Sequence, residues 1–207
     1  VWMIGLYDFT FALSSVFVNI FLYKGRQDWG VLGTYNMTSF VVIMVAFYLG
    51  GILSKKRDPL LSYQLGFVFH AALFLAVLLL RENAPNHPFL LGVLGGLGIG
   101  FYYLGQHALT LEVTKGQERE YFFSISIFLT SVLRIAAPAF AGWMITALNH
   151  NDTRSTGYYA IFSLTLAIYL LLIAESFRMC RKKLHEKFYF WDTLIQRRGS
   201  DWNRLQA

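Results

Sequence analysis

Charged residues are scarce in this chain, and cysteine is almost absent. Asp, Glu, Lys and Arg make up only 14% of the 207 residues, whereas 56% are apolar. This balance lies outside the usual range of water-soluble proteins, because one soluble core could not bury so much apolar surface. The single cysteine, Cys180, excludes an intrachain disulfide and a cysteine-based metal cluster.

Motifs of the common enzyme classes are also missing. The sequence has no G-x-S-x-G, no H-E-x-x-H, and no glycine-rich phosphate loop ending in Lys-Ser or Lys-Thr. We therefore expect no catalytic residue, no cofactor and no metal, and an intramembrane hydrolase using His70 or His107 is the remaining enzyme alternative. The first residues have no initiator Met, basic n-region or cleavage site, so we interpret them as a mature helix.

Long apolar runs dominate the sequence instead. Six of them are close to the 20 or so residues that a helix needs to cross a bilayer core: roughly 2–23, 29–53, 60–80, 89–111, 121–148 and 158–175. They do not alternate in polarity as barrel strands do. The sequence therefore predicts an all-α polytopic membrane protein with a six-helix bundle (1–175) and a basic tail (176–207).

Lys and Arg are unevenly distributed over the predicted loops. The first, third and fifth loops hold four, whereas the second loop, the fourth loop and the tail hold thirteen. Because cytoplasmic loops are enriched in these residues, both termini are predicted to be cytoplasmic. The tail supplies five of the six net positive charges, which favours the anionic inner leaflet over nucleic acid as its partner.

One face of the tail is apolar, with Leu184, Phe188, Trp191 and Ile195 at helical spacing. This pattern fits a helix that lies in the membrane interface. It fits equally well a solvated connector to a further domain.

Ionisable residues inside the apolar runs are the main candidates for function, since a charge at mid-bilayer costs at least about 2.5 kcal/mol and must face protein or water. Asp8 shares one face of the first helix with Ser15 and Asn19, and Arg134 lies near the middle of the fifth. Arg134 needs a carboxylate, an anionic substrate or water. Counting along the helices separates it from Asp8 by roughly 10 Å, so the pair is not predicted.

The fourth helix carries a second polar face. His107 shares it with Tyr103 and Thr110, and Gln106 lies beside it. His107 is expected at a depth similar to that of Asp8, where a direct or water-bridged contact could form. Hydrogen bonding between helices, without a functional role, is the alternative for these groups, and His70 on the third helix is expected to pack against a neighbour.

Small residues and one proline indicate how the helices pack. Gly92, Gly96 and Gly100 recur at intervals of four and form a groove that lets another backbone come close. This groove fits tight packing, with or without sliding. Pro138 removes one backbone hydrogen bond and should bend the fifth helix near Arg134.

The six helices, the short basic loop after the second and the long tail after the sixth resemble the amino-terminal half of a major facilitator superfamily (MFS) transporter. The segment GGILSKKRDPLL (50–61) is similar to the family loop G-x-L-a-D-r-x-G-r-r, although Ser54 stands in the acidic position and the second glycine is missing. The segment APAFAGWMI (137–145) is similar to the antiporter pattern G-P-x-x-G-G and keeps Pro138 and Gly142. Residues 100–122 resemble the fourth helix and following loop of bacterial efflux-like members.

The resemblance implies two inverted three-helix repeats in which the first and fourth helices line a cavity, the second and fifth move, and the third and sixth lie outside. It implies a proton-coupled secondary transporter, or its first half, that moves a small solute by alternating access across the bacterial cytoplasmic membrane. The resemblance implies that Asp8, Asn19, Tyr103 and His107 face the cavity. With Gln106 and Arg134 they form the predicted substrate and proton pathway, and the predicted gating loop comprises Gly50, Ser54, Lys55, Lys56 and Arg57.

A complete MFS transporter has twelve helices, so the chain is either the first half of a longer protein or pairs with itself or another half. A non-transporting membrane subunit or scaffold that binds partner proteins or lipid is the alternative.

Overall fold

The computed structural model describes residues 2–148 and 156–179, and both ranges are almost entirely helical. The helices are α1 (Trp2–Arg26), α2 (Trp29–Lys56), α3 (Pro59–Leu80), α4 (Pro88–Val113), α5 (Gln117–Leu148) and α6 (Thr156–Phe177), with a short 3-10 helix (Arg81–Asn86) before α4. The six predicted helices are confirmed, and each is long and apolar enough to span a membrane. No strand occurs in the described ranges. The apolar face predicted in the tail (184–195) lies outside them.

The connection between α2 and α3 is shorter than the sequence suggested. Asp58 accepts a hydrogen bond from the backbone N–H of Leu60 at 2.8 Å and so caps the first turn of α3. Pro59 occupies that turn, where its missing N–H leaves no bond unmade. The predicted loop from Ser54 to Pro59 is therefore wrong at both ends, because only Arg57 and Asp58 lie outside the two helices.

The helices pack in two layers. In the front layer α2 packs on α4 and α1 packs on α5, and the rings of Tyr7 on α1 and Tyr102 on α4 stack between these two pairs. In the second layer α3 packs on α6, with α3 against α4 and α6 against α1. Packing is most extensive between α4 and its neighbours α2 and α3, and α1 packs mainly on α5 and α6. The core lies between the layers, where Leu13, Phe67, Leu91 and Phe162 are fully buried.

Because consecutive helices run antiparallel, the α2–α3 and α4–α5 connections lie at the same end of the bundle as the start of α1 and the end of α6. We call this the basic end, since the exposed Lys55, Lys56, Arg57 and Lys115 lie there. The connections α1–α2 and α3–α4 lie at the opposite end.

The predicted glycine groove of α4 does receive another backbone, that of α2. A methyl group at Gly96 would lie 2.6 Å from the carbonyl oxygen of Ser39, and one at Gly100 would lie 2.5 Å from Cβ of Ala46. The Ser39 hydroxyl also donates a hydrogen bond to the carbonyl of Gly92 at 3.1 Å. Close packing at all three glycines is thus confirmed.

A second set of glycines, not predicted from the sequence, joins α4 to α3. A methyl group at Gly105 would collide with the backbone of Tyr63, and one at Gly66 would lie 2.6 Å from Cα of Tyr102. The α4 backbone is therefore in close contact with two neighbouring helices, one on each side.

The other residues predicted to shape packing behave differently from one another. A methyl group at Gly50 would lie 2.8 Å from Leu104 and 2.9 Å from Ser62, so Gly50 is a close contact of α2 with α4 and α3. At Gly142 a methyl group would meet nothing within 4 Å among the described residues, so the packing role expected there is not seen. Pro138 lies inside α5, which continues on both sides of it.

Candidate functional site

Three of the predicted polar residues meet in the front layer. Nη2 of Arg134 on α5 donates to the Asp8 carboxylate on α1 at 2.8 Å and to the Tyr103 hydroxyl on α4 at 3.0 Å. One guanidinium group therefore links three helices. We call Asp8, Tyr103 and Arg134 the front cluster.

The estimate that kept Asp8 and Arg134 about 10 Å apart is wrong. Gly5 on α1 lies against Leu129 and Leu133 on α5, and the two helices run parallel. Asp8, one turn further along α1, therefore lies beside Arg134, which follows Leu133 on α5. In the structure Arg134 is 17 residues from the start of α5, whereas Asp8 is six from the start of α1. The two helices begin at different levels, and counting from their first residues therefore misplaced one side chain against the other.

The two charged partners differ sharply in exposure. The Asp8 side chain is 4% exposed and that of Arg134 is 52% exposed. Both bonds of the guanidinium use Nη2, so Nη1 and Nε have no partner among the described residues. The buried carboxylate depends on this single cation, because an unpaired charge in such a setting is strongly destabilising.

His107 extends the front cluster along α4. Its ring stacks on Tyr103 with centroids 6.3 Å apart and planes 24° apart, and the side chain is exposed. No hydrogen bond joins Asp8 directly to His107 in the described part of the chain, and the path between them runs through Arg134 and Tyr103.

Gln106 lies on a different surface of α4. It lines a cavity of about 420 Å³ at the basic end, together with residues of α1, α3, α5 and α6 that include Trp2, Tyr63 and Phe122. Its Oε1 is buried and has no hydrogen-bond partner among the described residues. Gln106 is thus not brought to the front cluster.

Asn19 is also separate from the front cluster, 11 residues or roughly 16 Å along α1 from Asp8. Its Oδ1 accepts a hydrogen bond from Nδ2 of Asn36 on α2 at 2.8 Å. Asn36 was not among the predicted residues, although an amide inside an apolar run needs a partner and so carried a signal. This bond ties α1 to α2 on the side away from the basic end.

Three buried tyrosines lie behind the front cluster and were also missed. Tyr7 stacks on Tyr102 with centroids 3.3 Å apart and lies 5.9 Å from Tyr169. All three are fully buried, and their hydroxyls have no hydrogen-bond partner among the described residues. His70 stacks on Tyr169, and its Nδ1 lies 3.0 Å from the carbonyl of Gly66, in line with the packing role expected for it.

Pro138 affects the front cluster through the backbone. Because it has no N–H, the carbonyl four residues earlier loses its helical hydrogen bond, and that carbonyl belongs to Arg134.

At the basic end, Ser54 has a buried hydroxyl without a partner among the described residues. No group of three or more His, Cys, Asp or Glu side chains that could hold a metal ion occurs in the ranges 2–148 and 156–179.

Two bacterial proteins resemble the chain over most of its length. The uncharacterized protein YqgE of Bacillus subtilis is 35% identical over 202 residues, which are 97% of this chain and 46% of YqgE. The uncharacterized protein in the sodM 3' region of Geobacillus stearothermophilus is 34% identical over 158 residues, 76% of this chain and 72% of that protein. The chain thus spans about half the length of YqgE. No family model matches it, and no solved structure does.

Proposed function

We propose that this chain, which belongs to the family of the Geobacillus stearothermophilus protein from the sodM 3' region, is half of a membrane transporter. It would be the amino-terminal, MFS-like half of a secondary transporter in the bacterial cytoplasmic membrane. It would move a small solute by alternating access, with H⁺ as the coupling ion.

The half-exposed guanidinium of Arg134 is the observation that carries this proposal. It lies in the middle of an apolar helix, with Phe128 and Ile135 exposed nearby. An arginine at that depth cannot face acyl chains without a large penalty, so the front layer must face water or protein. A water-filled cavity between two helical bundles would surround Arg134 with water and protein instead of lipid.

The pairing of helices supports the inverted-repeat architecture. If α4, α5 and α6 repeat α1, α2 and α3, each contact between two helices should have a counterpart between the corresponding two. The contact of α2 with α4 corresponds to that of α5 with α1, the contact of α3 with α4 to that of α6 with α1, and the contact of α2 with α3 to that of α5 with α6. All six of these helix pairs pack together. Such a correspondence is what two inverted three-helix repeats require.

The exposed apolar surface of α2 and α5, the outer helices of the front layer, supports the proposal of a second helical bundle. Large apolar side chains are exposed along α2 and α5, among them Met37, Phe40, Met44, Ile127 and Trp143. More than half of YqgE lies outside the region that this chain matches, which leaves room for a bundle of similar size. A second half, from the same chain or another copy, would cover the front layer and close the cavity.

Solute-driven proton movement in everted membrane vesicles tests the proposal. A panel of small carboxylates, amines and sugars is added to vesicles that hold a pH gradient, and the gradient is followed with a pH-sensitive dye. At least one solute should dissipate the gradient, and Asp8→Asn should reduce that effect at least about tenfold, because it removes the proton-binding carboxyl group.

Glu82→Gln is the matched control, since it neutralises an exposed carboxylate in the 3-10 helix, away from the front cluster. It should leave the solute response unchanged. A full response in both Asp8→Asn and Arg134→Gln would rule out the proposed roles. A stable complex with another membrane protein and no response to any solute would favour a scaffold.

A further inference from the structure

The front cluster also indicates which class of solute fits it. We infer that Arg134 binds a small organic anion of the carboxylate class in place of Asp8, and that Asp8 takes up one proton as the anion binds. The transport of that anion rests on the function proposed above. The binding step stands on the geometry of the cluster and can be measured without any flux.

The geometry leaves Arg134 accessible from the front. Nη2 donates to Asp8 and Tyr103, the Arg134 side chain is 52% exposed, and Nη1 and Nε have no hydrogen-bond partner among the described residues. A carboxylate fits a fork of two parallel N–H groups, and each such fork of a guanidinium includes Nη2. An incoming anion can therefore approach Arg134 from the front while Asp8 remains buried behind it, but it can occupy a fork only when Nη2 leaves Asp8.

The charge of the cluster links this anion to a proton. With Asp8 ionised and Arg134 charged, the pair is neutral, and an added anion would leave one uncompensated negative charge in a partly dry site. Protonation of Asp8 restores neutrality and frees Nη2. Proton and anion therefore strengthen each other's binding, and by thermodynamic linkage the effect is reciprocal.

No other group around Asp8 takes over this role. Arg134 is the only charged side chain in contact with it among the described residues. The remaining titratable neighbours are the phenols Tyr7, Tyr63, Tyr102, Tyr103 and Tyr169 from α1, α3, α4 and α6, with His107 beyond Tyr103. Phenols are neutral near physiological pH, and His107 makes no bond to Asp8.

A cationic solute fits the same site poorly. Its counter-charge would have to be Asp8, which is 4% exposed and stands behind the half-exposed guanidinium of Arg134. The like charge of Arg134 would repel a cation before it reached the carboxylate. The rings of Tyr103 and His107 beside Arg134 suit a flat ligand, which makes benzoate a suitable probe.

The test is calorimetric titration of benzoate into the detergent-purified protein, expressed from its natural gene, between about pH 5.5 and 8, where a carboxylic acid of ordinary acidity stays ionised. Affinity should rise as the pH falls, with about one proton taken up per benzoate. Asp8→Asn should bind benzoate at least about tenfold more tightly than the unmodified protein at pH 8, and its affinity should not vary with pH, because no carboxylate competes for Arg134.

Three further variants keep the test independent of folding. Arg134→Lys should keep a pH-linked but weaker affinity, whereas Arg134→Gln should lose binding. His107→Gln should keep the proton uptake. Affinity that is equal in Asp8→Asn and the unmodified protein, proton release on binding of benzylammonium, or no benzoate binding in either protein would each overturn the inference.

Failure of the inference and failure of the proposed function give different results. Benzoate binding with proton uptake but no flux in vesicles would remove the transport function and leave the site assignment intact. Proton-coupled flux of an amine or sugar without benzoate binding would remove the carboxylate site and leave the transport function intact.

Discussion

Tyr102 and Tyr103 are adjacent in the chain, yet their hydroxyls lie in opposite environments. The Tyr103 hydroxyl accepts a hydrogen bond from Arg134 in the front cluster. The Tyr102 hydroxyl is fully buried against Tyr7 and has no partner among the described residues. A buried hydroxyl without a partner lowers stability, whereas a hydroxyl bonded to a charged group raises it.

Removing these two hydroxyls separately should therefore have opposite effects. We expect Tyr103→Phe to lower the free energy of unfolding by about 1 to 2 kcal/mol and Tyr102→Phe to leave it unchanged or raise it. Thermal unfolding of both variants in the same detergent measures the difference. A larger loss for Tyr102→Phe would show that a buried water molecule bridges its hydroxyl to the protein.

At the scale of elements, α4 organises the bundle because its glycines face both α2 and α3. The close contact at Gly96 depends on the absence of a side chain, since the Ser39 carbonyl oxygen occupies that space. Gly33 on α2 offers a contrast, because a methyl group there would meet nothing within 4 Å among the described residues.

Alanine at these two glycines should change stability in opposite directions. Gly96→Ala should lower the free energy of unfolding by about 1 to 3 kcal/mol, because backbone must move to admit the methyl group. Gly33→Ala should raise it by up to about 1 kcal/mol through the better helix propensity of alanine. Thermal unfolding in detergent compares the two. Equal effects at both sites would contradict the close contact between α2 and α4.

Local patterns were enough to predict the helices and part of the site. Apolar runs gave all six helices, and the spacing of Gly92, Gly96 and Gly100 gave the groove for α2. The pairing of Asp8 with Arg134 depends on how far α1 and α5 are displaced along each other, and that displacement is set by packing. No pattern within one helix records it. Asn36 could have been singled out as an amide inside an apolar run, but its pairing with Asn19 depends on packing in the same way.

At the scale of the whole molecule, the two ends of the bundle differ in the number of Lys and Arg side chains. Among the described residues the basic end has six, Lys55, Lys56, Arg57, Lys115, Arg119 and Arg178, and the opposite end has three, Lys24, Arg26 and Arg81. In a bacterial membrane this difference would place the basic end in the cytoplasm.

Cysteine labelling in whole cells tests this orientation. In a Cys180→Ser background, Glu82→Cys and Lys56→Cys each place one thiol on an exposed position at opposite ends. A membrane-impermeant maleimide should label the first in intact cells, and the second only after the membrane is made permeable. The reverse result would invert the proposed topology, and labelling of both in intact cells would argue against membrane insertion.

The glycine contacts on both sides of α4 constrain any large rearrangement of this bundle. The backbone of α4 is in close contact with α2 and α3 at its glycines, so α4 cannot slide along either helix without bringing larger side chains into those contacts. We therefore expect α2, α3 and α4 to move as one rigid unit. The α1–α5 pair meets that unit through the stacked rings of Tyr7 and Tyr102, the guanidinium of Arg134 and the Asn19–Asn36 hydrogen bond, and these side-chain contacts are where a shear of the bundle would occur.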